Sequence, residues 1–130
     1  MINRYQELEN DVFAIIREAT TDLPIFPANF NVDAPEYIRV TIISSRKGVN
    51  VTSIEGQVIF DIFITAGTGP SKLTFIADQL DGYFLGESLR NTQFFESAYT
   101  PLGRDRDNPS LYQGQYTLTF KHFRGSNGSY

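Results

Sequence analysis

Five places in the chain hold residue types that do chemistry elsewhere, and each has to be weighed against a plainer structural role. Ala66-Gly67-Thr68-Gly69-Pro70-Ser71-Lys72 joins an alternating apolar stretch to a helical one and ends in Lys. A phosphate-binding loop needs four residues between its glycines and a Ser or Thr after the Lys, whereas here one residue separates the glycines and Leu73 follows Lys72. The dinucleotide pattern fails as well, for want of its third glycine. A helix N-terminus attracts anions, but a strand-to-helix turn is the better reading. His122 is the sole histidine and stands among Lys121, Phe123 and Arg124. One His without Cys cannot build a typical transition-metal site, and no nucleophile can be assigned to it, so a structural role is expected.

The carboxylates follow the same logic. Asp78 and Asp81 are three apart on a predicted helix, the spacing that serves acid–base pairs when burial splits their pKa values. They fall on the polar side of an amphipathic pattern and read as a solvated face. Asp61 interrupts Ile59 and Phe63 on one face of a long predicted strand, and a charge there is tolerated if it pairs across the sheet. Arg39 and Lys121 occupy comparable faces of their own strands and are the candidates. Arg104-Asp105-Arg106-Asp107 alternates in sign, makes no basic patch, and suits either a self-complementary subunit contact or a solvated loop. No catalytic residue, metal ligand or cofactor is therefore expected.

The elements that would position these groups follow from periodicity. Tyr5, Leu8, Val12, Ile15, Ile16 and Ala19 recur at helical spacing, predicting a helix over residues 3–19, with Phe13 on the flank of its apolar stripe. Residues 24–36 hold three prolines and read as an extended connector. Tyr37 to Ile43 alternates as a half-buried strand, Ser44 to Asn50 reads as a solvated loop carrying Arg46 and Lys47, and Ile54 to Thr65 is a second, longer strand. A second helix from Pro70 to Leu85, closed by Gly86, carries Leu73, Ile76, Ala77, Leu80 and Phe84 as its core stripe, with Phe75 almost opposite. Strands over Thr92–Tyr99 and Leu111–Phe123 flank a charged loop, Thr100 to Ser110. The order α-β-β-α-β-β predicts an α+β domain: a largely antiparallel four-stranded sheet with two helices packed on one face, covering residues 1–124 and followed by a flexible tail over 125–130.

At 130 residues the chain is one domain's worth of sequence, with 41% apolar and 20% charged residues, enough for a core and too little charge for a disordered polymer. Fifteen acids against eleven bases give a net charge of -4, which argues against gripping nucleic acid over a broad basic surface. There is no Cys, which excludes disulfides and thiol catalysis. Met1 to Leu8 carries Arg4 and Glu7 and does not read as a signal peptide, and no stretch approaches the roughly 20 apolar residues of a membrane span, so a soluble intracellular product is expected. The aromatic content is high: eleven Phe and seven Tyr make up 14%. A sheet with helices on one face leaves the other uncovered, carrying Tyr37, Ile59, Phe63 and Phe123 beside its charges, and such patches mark protein contact surfaces. The candidate subunit or partner surface comprises Phe13, Arg39, Arg46, Lys47, Asp61, Phe63, Phe75 and the run Arg104, Asp105, Arg106 and Asp107.

Several stretches, in order, resemble one family. An N-terminal helix precedes Pro24 to Asn29 and Pro35 to Val40; Gly56 to Gly69 runs into the helix with Ile76 to Leu80 and Phe84; Tyr112 to Phe120 closes the pattern. In these the chain resembles the tail terminator, or tail-completion, proteins of long-tailed bacteriophages. The charged loop from Gly103 to Ser110 is longer than that pattern has. The resemblance implies a virion protein at the head-proximal end of the tail, assembled in the host cytoplasm. It implies a ring of subunits, usually six, that caps the tail tube made of the major tail protein, ends its polymerisation, and offers the surface on which the neck docks. DNA would slide through the ring without specific binding. A neck or head–tail connector protein with a similar ring-forming domain is the near alternative; a small enzyme or phosphate-ligand domain using Gly67 to Lys72 is the alternative from a different class.

Overall fold

Apolar residues three and four apart place one stripe of each helix against the sheet. The computed structural model describes residues 4–18, 23–27, 35–47, 53–67, 71–89, 92–104 and 110–123. Helix α1 (Arg4–Glu18) buries Leu8, Val12, Ile15 and Ile16, and helix α2 (Ser71–Phe84) buries Leu73, Ile76, Ala77, Leu80 and Phe84. Each fully buried Leu, Ile or Phe in these stripes contributes roughly 2 kcal/mol of transfer free energy. Beyond α2 the Leu85 N–H donates to Asp81 O and the chain reverses at Gly86, whose φ of 79° is the left-handed conformation that glycine adopts without a Cβ clash.

Among the described residues six strands form one sheet: β1 (Ile25–Pro27), β2 (Tyr37–Lys47), β3 (Ser53–Thr65), β4 (Ser88–Leu89), β5 (Thr92–Arg104) and β6 (Leu111–Phe123), in the spatial order β1-β2-β3-β6-β5-β4. This corrects the sequence-based expectation of a four-stranded, largely antiparallel sheet in the order α-β-β-α-β-β. Among the described residues the chain order is α-β-β-β-α-β-β-β, and the sheet is mixed, because β1 runs parallel to β2. Two strands escape a periodicity argument because they are only three and two residues long. β1 ends in Pro27, tolerable on an edge strand that needs few main-chain donors, and it is tied to β2 by the Ile38 N–H donating to Pro24 O at 2.8 Å.

Two further boundaries move. The segment read as a solvated loop after Ile43 continues as strand through Lys47, across a bulge between Ser44 and Arg46, because β3 supplies a main-chain partner however polar the side chains are. β5 likewise runs past Tyr99 to Arg104, with bulges between Phe94 and Glu96 and between Pro101 and Gly103. Gly48 to Asn50, Asp105 to Asp107 and the tail 125–130 lie outside the described residues.

The core forms between the helices and one sheet face. Val58, Phe60, Ile62 and Ile64 of β3, Tyr116, Leu118 and Phe120 of β6, and Ile38 and Val40 of β2 are all buried there. Both helices lie on this face: α1 reaches His122 through Asp11 and α2 reaches Tyr116 through Asp81, and these two β6 residues are six apart on the same side of the strand. Phe60, Tyr116, Phe84 and Phe94 build an aromatic centre with ring centroids 5.4 to 5.8 Å apart. Many of the aromatic residues are thus core rather than surface.

Candidate functional site

The opposite sheet face carries the other half of each alternation. Register places Tyr37 against Phe63 and Arg39 against Asp61 between β2 and β3, and Asp61 against Gln115 between β3 and β6. Tyr37 and Phe63 stack with centroids 4.8 Å apart, and Phe26 of β1 meets Tyr37 edge-on at 6.5 Å. The Arg39 guanidinium lies 5.8 Å from the Tyr37 ring centroid, a cation–π distance. Arg39, Asp61 and Phe63, three of the expected surface residues, are therefore brought together. The ion pair expected for Asp61 is not the contact made: its Oδ1 accepts hydrogen bonds from Gln113 Nε2 and Gln115 Nε2, both at 3.1 Å, while the buried Arg39 Nε has no hydrogen-bond partner among the described residues. Lys121 lies further along β6, opposite Glu55 and Gln93. Phe63 is only 9% exposed, so the Tyr37 ring covers much of it.

Three polar contacts tie the helices and the loop before β2 to the sheet. The buried His122 Nε2–H donates to Asp11 Oδ2 of α1 at 2.9 Å. The Tyr116 hydroxyl donates to Asp81 of α2, and burial, reinforced by that neighbouring carboxylate, pushes the Tyr116 phenol well above its ordinary pKa. Glu36 accepts from Lys72 Nζ at 2.5 Å and from the Thr65 N–H at 2.8 Å, and the Lys72 bond is the main reason its carboxyl is held below the usual Glu value. The lysine that made the Gly67–Lys72 turn a candidate phosphate cradle is thereby committed to a carboxylate. Among the described residues no three His, Asp or Glu side chains gather as a metal site, and no helix is long and apolar enough to cross a membrane.

Among the described residues, the large apolar side chains left in solvent are Ile43, Phe75, Leu85, Phe95 and Leu102, each 43% to 51% exposed. They occupy three separate places. Ile43 is on β2. Phe95 and Leu102 are the extra residues of the two β5 bulges, where an added residue escapes the alternation and turns its side chain outward. Phe75 and Leu85 lie on and just after α2. Phe75 is exposed where the wheel put it; Phe13 is half-buried and packs against the core. Arg104 is exposed at the end of β5, and Arg46 and Lys47 fall in β2 with side chains outside the described residues, as are Asp105, Arg106 and Asp107 entirely. Sequence reasoning missed Ile43, Leu85, Phe95 and Leu102. Phe94 and Phe95 offered one signal, since two adjacent rings in a strand cannot both face the core unless a bulge intervenes.

One mixed sheet with both helices on a single face defines the fold class. No family model matches the chain, and no curated protein matches it. Eighteen chains among solved structures do match. One of them is 13% identical, aligns over 92% of this chain and 98% of its own, and superposes with a TM-score of 0.66. At that identity the likeness shows the fold.

Proposed function

We propose that the chain is a structural subunit that assembles into a ring, and that the ring is the tail terminator of a long-tailed phage virion. The observation that carries this reading is the distribution of the exposed apolar residues. Ile43 lies on one flank of the sheet, Phe95 and Leu102 on the other, and Phe75 and Leu85 on the helix side. A subunit of a closed ring needs two different lateral surfaces, since head-to-tail contacts join unlike patches, and a third surface for its axial neighbour. Exposed apolar side chains at three separate places on the chain fit that need better than they fit one binding pocket.

The ordered resemblance to tail terminators supplies the particular ring: about six subunits capping the tube of the major tail protein and receiving the neck. The net charge of -4 suits a passage through which DNA slides without being held. The commitment of Lys72 to Glu36 weighs against the phosphate-ligand alternative. Native mass spectrometry and light scattering over a range of concentrations, with and without polymerising tail tube protein, test the reading. A closed oligomer that stops tube elongation is expected; a strict monomer at tens of micromolar that leaves elongation unchanged overturns it.

A further inference from the structure

The ring reading leaves open which surfaces meet, and the sheet's two flanks answer that. Among the described residues, β1 pairs with β2 at Ile38, Arg39 and Val40. On the other flank β4 pairs with Thr92 and Gln93, and Phe94 donates its N–H to Glu87 O and accepts from the Gly86 N–H. Among the described residues, β2 from Thr41 to Lys47 and β5 from Phe95 to Gly103 have no strand on their outer side. Free edges of this length are templates for pairing, and natural proteins cover or blunt them. Here each edge also carries exposed apolar side chains, Ile43 on one and Phe95 and Leu102 on the other.

Alternation fixes which main-chain groups those edges offer. In an antiparallel ladder the N–H and C=O of one residue point to the same side, and the next residue's point to the other. Phe94 faces outward, as its bonds to Glu87 and Gly86 show, and it is opposite Phe120 of β6. The residues opposite Leu118, Tyr116 and Gly114 therefore face outward too; they are Ser97, Tyr99 and Pro101. Pro101 has no N–H, so the outward donors of this free stretch are those of Ser97 and Tyr99. On β2, Ile38 faces outward to Pro24, which makes Ile42 and Ser44 the outward-facing residues beyond β1.

We infer that copies of the chain join head-to-tail by main-chain pairing of these two edges, with Tyr99 of one copy opposite Ile42 of the next and Ser97 opposite Ser44. This deepens the proposed ring and rests on that reading. Three observations agree on the occupant. Every step from β2 through β3 and β6 to β5 is antiparallel, so β2 and β5 run in opposite directions and a neighbour in the same orientation continues the sheet antiparallel. Tyr99 and Ile42 both belong to the helix-side face, so the pairing keeps core face with core face and open face with open face. By sequence the two edge strands also differ in sign: β2 holds Arg39, Arg46 and Lys47 and no acid, β5 up to Gly103 holds Glu96 and no base, and the register sets Glu96 beside the Arg46–Lys47 end of β2.

The absence of cysteine allows a direct test. Ile43 and Ala98, both exposed on the open face, become directly opposed non-hydrogen-bonded partners across the joint, a geometry that accepts a disulfide. Within one copy they are three strand spacings apart, roughly 14 Å, too far to bridge. Oxidation of the Ile43→Cys, Ala98→Cys double variant is expected to give a covalent ladder ending at the native ring size, while each single variant stops at dimer. In parallel, Ser97→Pro removes one outward donor, with Ser97→Ala as the control for the lost hydroxyl contact to Tyr116. Ser97→Pro is expected to need about tenfold more protein to assemble, the upper range for one main-chain hydrogen bond, and Ser97→Ala to assemble like the parent. A full-size ring that neither cross-links beyond dimer nor responds to Ser97→Pro overturns the edge pairing and leaves the ring standing. A parent chain that stays monomeric overturns the ring itself.

Discussion

Replacing Gly56 with Ala tests how the sheet holds the free edge of β2 in place. Gly56 lies in β3 opposite Ser44 of β2 and Phe120 of β6, on the core side of the sheet. A Cβ there points at the main-chain carbonyl oxygen of Ile43, well inside van der Waals contact, and comes within 3.0 Å of the Phe120 ring. Overpacking a rigid site costs about 1–3 kcal/mol. The obstacle is backbone, so the upper half of that range applies, and the gain of up to about 1 kcal/mol from restricting the unfolded chain offsets only part of it. A net loss of about 2 kcal/mol is expected, which for a domain of this size lowers Tm by about 8 °C.

Gly114→Ala is the matched comparison. Its Cβ would meet the Tyr99 ring and hydroxyl at 3.0 Å and Leu73 Cδ1 at 3.3 Å, all side-chain atoms that can shift by a few tenths of an ångström. Its cost should stay within about 1 kcal/mol. Urea unfolding at low protein concentration reads both. If Gly56→Ala is as stable as the parent, or no less stable than Gly114→Ala, the claim that β2 is seated by its approach to Gly56 is wrong. Relief of the clash must move β2 at Ile43, so the variant should also assemble less well at temperatures where it is folded.

Other perturbations separate fold from surface. Phe75→Ser should leave unfolding stability within about 0.5 kcal/mol, because the ring is already 51% exposed, while weakening contact with the tube protein in a co-sedimentation assay; a large loss of stability would mean that the ring belongs to the core. Tyr116→Phe leaves Asp81 without its phenol donor and should cost about 1–2 kcal/mol in urea unfolding. Because the folded phenol pKa lies above the unfolded value near 10, the parent should lose stability as pH rises above about 10, and Tyr116→Phe should lose less. Glu36 titrates the other way: its folded pKa lies below 4.5, so its contribution is present above that pH and is lost as pH falls through the folded value. Glu36→Gln should therefore flatten the stability profile on the acid side of pH 4.5 while costing about 0.5–1 kcal/mol near neutrality, since the Lys72 partner is 40% exposed.

What could be read from the sequence follows from what periodicity encodes. Leu73, Ile76, Ala77, Leu80 and Phe84 mark the buried side of α2 because helical spacing leaves no other way to bury them together. Alternation in Val58, Phe60, Ile62 and Ile64 does the same for β3. The short strands β1 and β4 left no such mark, since two or three residues form no period and are held by main-chain bonds to a neighbour. The extensions of β2 past Ile43 and of β5 past Tyr99 were hidden for a related reason: Ser44 to Lys47 and Thr100 to Arg104 are polar or turn-prone, yet their partners β3 and β6 supply the ladder. Asp61 drew attention as a charge among apolar residues, but the glutamines that satisfy it lie 52 and 54 residues away. The surface was least legible where bulges turn Phe95 and Leu102 outward, because a bulge breaks the alternation from which facing is inferred.

The most direct test of the central claim is the length distribution of phage tails assembled without this protein, measured by electron microscopy. If the chain forms the ring that ends tube growth, tubes made in its absence should be overlong and variable, and supplying the protein should restore a single length. Tubes of normal, uniform length without it would contradict the account.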